Sequence, residues 1–193
     1  LSDIGPEKKP DIRIVGSLKL NAFSTPVDKT FADQLRVAAG SRPILLAAST
    51  HSPEEQILLK ASQEVSRAGY PHLLVIAPRH SNRSQYIARL MPQAAHRSKN
   101  QLPLLGDNHF LADSFGEMSS LVTAADIVIL GGSFVPKGGH NPLEIAALST
   151  PLITGPSQFK NKVEFDTLQQ YGQCITVKDG ATPVSYTHLR AHE

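Results

Sequence analysis

"PILLAASTHSPEEQILLKASQEVSRAGYPHLLVIAP", residues 43–78, opens and closes on apolar runs, "PILLAAS" (43–49) and "HLLVIAP" (72–78). Neither run alternates with polar residues. Short, unalternating apolar runs read as strands buried on both faces, which is how parallel sheets are built. Between them, Ser52-Pro53-Glu54-Glu55 predicts a helix start. Ser52 serves as the cap, Pro53 as the first helical residue, and Glu55 completes a capping box. Ile57, Leu58, Ala61 and Val65 then repeat at helical spacing, Gly69 ends the helix, and Pro71 follows. The stretch is one strand–helix–strand unit.

The same rhythm continues outward. "DIVILGG" (126–132), "PLITGP" (151–156) and "CITV" (174–177) read as further strands, and "IRIVGSL" (12–18) as an earlier one. Helices are predicted near 28–39, 84–91, 116–124, 142–149 and 161–171. Alternation of this kind implies right-handed crossovers and an α/β, Rossmann-like open parallel sheet. Such sheets bind ligands beyond the carboxyl ends of their strands. Three features fall there: "STH" after the first buried strand, "PRH" after the second, and the glycine-rich run after "DIVIL".

Bulk properties narrow the class. The chain has 193 residues, 40% hydrophobic and 19% charged, with a formal net charge of +2. That is a globular composition, long enough for one domain with a proper core. No apolar run approaches the roughly 20 residues of a transmembrane helix. Cys174 is the single cysteine, which excludes a disulfide framework and a cysteine-based zinc site and makes a reducing cytoplasm the simplest setting. The chain opens on Leu1 without a signal-peptide pattern, so it is expected to begin inside a longer protein. The last residues, "PVSYTHLRAHE", lack the periodicity of what precedes them and are set aside from the fold.

The chemistry concentrates in "GGSFVPKGGHNPLE", residues 131–144. Two glycines end a strand, and a loop then leads to Asn141 at a helix N-cap and Pro142 in the first turn. Gly138 and Gly139 are expected to leave amides open at the helix tip, a ready anion site that Lys137 reinforces. Glu144, one turn in, has the two acceptors a ribose diol needs. The alternative is a tight turn with Glu144 merely complementing the helix dipole. Arg79, at a strand end, offers a planar donor fork for phosphate, against the alternative of an ordinary surface arginine. "DSFGEM" (113–118) brings Gly116 and Met118 towards a ligand, or is a plain turn. His51, His80 and His140 occupy three strand-end loops, but no H-x-x-x-H spacing supports a metal. No nucleophile elbow, Walker loop or G-x-G-x-x-G fingerprint is present.

"AASTHSPEE", "APRHSNR", "DSFGEM", "GGSFVPKGGHNPLE" and "GPSQFKN", in this order, resemble the second half of the bacterial 3-deoxy-D-manno-octulosonic acid (Kdo) transferases, from about Asp11 to about Asp179. The resemblance implies the C-terminal domain of a two-Rossmann (GT-B) glycosyltransferase. It implies CMP-Kdo as donor and a lipid A precursor as acceptor, with no cofactor, no metal and no nucleic acid partner. It also implies work at the cytoplasmic side of the bacterial inner membrane, with the acceptor site, the catalytic base and any anchor in an N-terminal half that this chain does not contain. The donor-binding residues it implies are Arg79, Gly116, Met118, Ser133, Lys137, Gly138, Gly139, His140, Asn141 and Glu144. Arg79 and the loop tip would hold the leaving phosphate, Glu144 the ribose, and Gly116–Met118 the cytosine. Residues 1–180 are then an incomplete donor-binding domain, and 181–193 a non-native or read-through tail. The alternatives are a GT-B glycosyltransferase or epimerase using a UDP-sugar, and a non-catalytic nucleotide-sensing module.

Overall fold

A computed structural model of the chain describes residues 26–178. The expected strand at 12–18 and the tail from residue 181 lie outside them. Seven parallel strands form one sheet: β1 (Ile44–Thr50), β2 (Leu73–Pro78), β3 (Ala95–His96), β4 (His109–Leu111), β5 (Ile127–Leu130), β6 (Leu152–Thr154) and β7 (Cys174–Thr176). Their spatial order is β3-β4-β2-β1-β5-β6-β7. Six helices cover it: α1 (Lys29–Ala39), α2 (Glu54–Arg67), α3 (Ser84–Leu90), α4 (Met118–Ala124), α5 (Leu143–Ala146) and α6 (Lys162–Gln170).

The unalternating runs have the cause inferred for them, since successive strand residues enter different cores. Leu46, Ala48, Val75, Val128 and Leu130 pack with Phe31 and Leu35 of α1, Leu121 of α4 and Phe165 of α6. Ala47, Leu74, Ile76, Ile127 and Ile129 pack with Leu58 and Leu59 of α2 and Ile87 of α3 on the other side. Both faces of the sheet are apolar because both are covered by helices.

Strands β3 and β4 were not expected. They have two and three residues, too short for any periodicity to show. The start of α2 also differs from expectation. The helix begins at Glu54 after a cis Ser52–Pro53 peptide and has no side-chain cap. Its buried face is Glu54, Glu55, Leu58, Leu59 and Ser62, rotated from the predicted stripe. Ser52 is not a cap, and Glu55 does not close a capping box, because both glutamates turn inward. Helix α5 is a single short turn, Leu143–Ala146, rather than the span to 149.

Strand β1 lies between β2 and β5, so the chain winds outward from it in both directions. That reversal opens a crevice at the carboxyl ends of β1 and β5, the position where open α/β sheets take their ligands.

Candidate functional site

At the crevice, a cavity of about 180 Å3 is lined by Ala48 and Ser49 of β1, Arg79, Met118, Leu130, His140, Asn141, Glu144 and Ile145. Its floor is sheet, its rim is charged, and it gathers residues from four separate loops and helix starts. The volume is below the roughly 300–1,000 Å3 typical of small-molecule pockets.

Two fully buried carboxylates hold this end of the sheet together. Glu54 Oε2 accepts the amides of His51 and Gly132, both at 2.8 Å, and its Oε1 accepts that of Phe134 at 3.0 Å. One side chain thus fastens the loop after β1 to the glycine loop after β5. Glu55 accepts the Thr50 hydroxyl at 2.8 Å and takes Arg83 in a fork, at 2.5 and 3.0 Å. Buried charge is tolerated where every acceptor is engaged in this way.

The two loops also touch directly. A Cβ added to Gly131 would stand 2.3 Å from the Ser49 carbonyl oxygen and 2.7 Å from Thr50 Cα, so no larger residue fits. The glycine loop is closed on itself. The Gly139 amide donates to Gly132 O at 2.8 Å, that of Gly138 to Ser157 Oγ at 3.0 Å, and that of His140 to Gly131 O at 3.4 Å. This corrects the expectation of open amides at Gly138 and Gly139. Both residues have positive φ, and both lie against α6 and the loop before it, Gly138 on Phe159 and Lys160 and Gly139 on Phe165. They shape the loop rather than present donors.

Ser133 also differs from its expected role. Its hydroxyl donates to Leu130 O at 2.5 Å and accepts from Gly155 N at 2.8 Å, and its complete burial keeps it from a ligand. Asn141 Oδ1 accepts the Leu143 amide at 3.1 Å, from one residue before the N-cap position Pro142 of α5. Met118 and Glu144 line the cavity, whereas Gly116 stands in an open turn outside the lining. Glu117 is held by Arg97 and the Ser114 hydroxyl, and the bonds from Arg97 keep its carboxyl below the ordinary range.

The electrostatics of the rim are cationic. Arg79 is exposed and forms no side-chain ion pair among the described residues, while its amide donates to Thr50 O at 3.0 Å. The His51 and His140 rings meet edge to edge, nearly coplanar, with centroids 5.1 Å apart, and His80 meets His51 edge-on at 5.6 Å. Burial first, then the neighbouring His51, Arg79 and Lys160, push His140 down to about 4. His51 is lowered by burial, His80, Lys137 and Arg83. Burial and the surrounding positive groups thus favour the neutral form of both imidazoles.

Glu54, Glu55, Arg83 and Lys160 were absent from the sequence-derived set. Two adjacent acids immediately beyond a buried strand were the available signal, and they read equally well as a dipole-matched helix start.

No protein-family model matches the chain. The 3-deoxy-D-manno-octulosonic acid transferase of Haemophilus influenzae is 39% identical over 157 residues, covering 78% of this chain and 36% of that protein. The transferase of the same name from Rickettsia conorii is 31% identical over 170 residues, covering 86% of this chain and 36% of that protein. The solved C-terminal CMP-Kdo binding domain of WaaA from Acinetobacter baumannii superimposes with a TM-score of 0.74 at 28% identity, covering 83% of this chain and 86% of that one. Over most of its length the chain is homologous to these Kdo transferases. It spans 36% of the length of these two Kdo transferases and matches the family's C-terminal domain, the second half of the GT-B architecture. The C-terminal domain of a group 1 glycosyltransferase, LpcC from Francisella tularensis, shares the fold at a TM-score of 0.50 and 14% identity.

Proposed function

We propose that this chain is the donor-binding half of a glycosyltransferase that moves Kdo from CMP-Kdo to a lipid A precursor. The observation that carries the reading is the convergence of Arg79, His140, Asn141, Glu144 and Met118 on one cavity at the switch point of the sheet. In the reaction, the bond between the sugar's anomeric carbon and the phosphate oxygen breaks, and CMP departs with the electron pair. The bond to an acceptor hydroxyl forms, and that hydroxyl's proton passes to a base outside this chain. Charge grows on the departing phosphate, where preorganised cations are worth most. Arg79 and Lys137 supply them. Glu144 accepts from the ribose hydroxyls, and Met118, with Gly116 behind it, supports the cytosine.

Residues 1–180 as an incomplete donor domain, 181–193 as a non-native tail, and placement at the cytoplasmic side of the inner membrane belong to the same proposal. Among the described residues, no helix is long and apolar enough to cross a membrane.

The test is an amide NMR titration of the chain with CMP and then UMP. CMP is expected to shift the amides of Arg79, Asn141, Leu143 and Glu144, with UMP weaker. Arg79→Ala removes a charged hydrogen-bond donor worth about 1.5–3 kcal/mol, roughly a 10- to 100-fold loss of CMP affinity. Glu144→Gln is expected to weaken CMP without changing thermal stability, since the residue is exposed. A preference for UMP would select the UDP-sugar reading, and shifts confined to another surface would refute both.

A further inference from the structure

This inference rests on reading the cleft as a phosphate site. His51 and His140 hold their Nε2 atoms 2.9 Å apart, with ring planes 7° from parallel. Two imidazole nitrogens at that distance share one hydrogen: one ring donates and the other offers its lone pair. In the neutral pair the two rings therefore carry opposite tautomers. A first added proton goes to Nδ1 of the donating ring and leaves the N–H···N bond in place, now charge-assisted. A second would set two N–H groups face to face. The geometry admits one extra proton and opposes another.

The surroundings are one-sided. Arg79 and His80 come from the loop after β2, Arg83 from the turn that follows, Lys137 from the glycine loop and Lys160 from the loop before α6. Of the nearby carboxylates, Glu55 is taken by Arg83 and Thr50, and Glu54 by three amides. Glu144 stands on the cavity wall.

We infer that His51 and His140 form a single-proton acceptor that becomes charged when a phosphomonoester dianion enters the cleft, with His51 as the positioning residue that fixes the tautomer of His140. The link to transfer chemistry is direct. The phosphodiester of a nucleotide-sugar carries one negative charge, and the released monoester, with a second pKa near 6, carries close to two. The pair gains its positive charge as the phosphate gains its second negative one.

The experiment is a pH titration of the imidazole 15N signals of the whole chain, free, with saturating cytidine, and with saturating CMP. Occupancy is read independently from base-proton shifts for cytidine and from the 31P shift for CMP. The free chain is expected to show both rings moving in one step, below the ordinary histidine range. Cytidine should leave that step in place. CMP should raise it by about 1–3 pH units, the effect of an opposite charge within a few ångströms. In His51→Gln, which keeps a hydrogen-bond partner for the remaining ring, His140 should titrate alone. CMP occupancy with an unmoved step, or two separate steps in the unaltered chain, overturns the inference and leaves nucleotide binding intact. No CMP occupancy at all overturns both.

Discussion

Glu54→Gln tests whether a single carboxylate assembles the crevice. The substitution keeps the side chain's volume and removes one acceptor oxygen. The favourable orientation leaves the amide oxygen on the His51 and Gly132 amides and turns the new NH2 towards the Phe134 amide. Two donors then face each other in a site with no exposure. The loss combines one charge-assisted hydrogen bond, about 1.5–3 kcal/mol, with a buried unsatisfied donor at about 1–3 kcal/mol. A total of about 2.5–6 kcal/mol is a large share of the roughly 5–15 kcal/mol that holds a domain folded. For a domain of this size each kcal/mol moves Tm by about 2–4 °C, so the melting temperature should fall by roughly 5–24 °C. Thermal melts by circular dichroism, with the exposed Glu144→Gln as control, read it directly. A fall of less than about 3 °C for Glu54→Gln, or an equal fall for the control, would refute the assignment of Glu54 as the fastening between the loops.

Gly131→Ala should be more damaging than Gly116→Ala although both remove a glycine. The first drives a methyl into the Ser49 and Thr50 backbone, while the second meets open space and costs only the roughly 1–2 kcal/mol of a left-handed φ; urea midpoints of the two variants check the order. Stability should also decline with acid. His51, His72, His109 and His140 are all lowered from 6.5, by burial first, so the unfolded chain binds more protons than the folded one as pH drops. Their contribution is complete above about pH 6.5 and is lost as pH falls through the depressed values, to about 4 for His140. Urea midpoints at pH 7.5, 6 and 5 should fall in that order, and His72→Asn should flatten the slope.

The strands that proved legible are those buried on both faces. "ILLAA" and "LLVIA" are apolar at every position because α1 and α4 cover one side and α2 and α3 the other. The three-residue β4 has no pattern of its own and is recruited by pairing with β2 and β3. The glycine loop was legible as part of the crevice wall and misread in detail. Sequence places Gly138 and Gly139 before a helix but does not reveal that Ser157 and Gly132 take up their amides. Nor does it distinguish a glutamate turned to water at a helix start from one turned under a loop, because both satisfy the same dipole. Only the packing of β1 against β5 decides that for Glu54.

The fastening by Glu54 has a kinetic meaning. With the loops after β1 and β5 sharing one buried acceptor, neither has to be ordered when a ligand arrives. The entropy of fixing them is spent during folding, and a ligand would meet two loops already ordered. On the donor-binding role proposed above, association would proceed without a gating step, and discrimination among nucleotides would fall on how long each one stays.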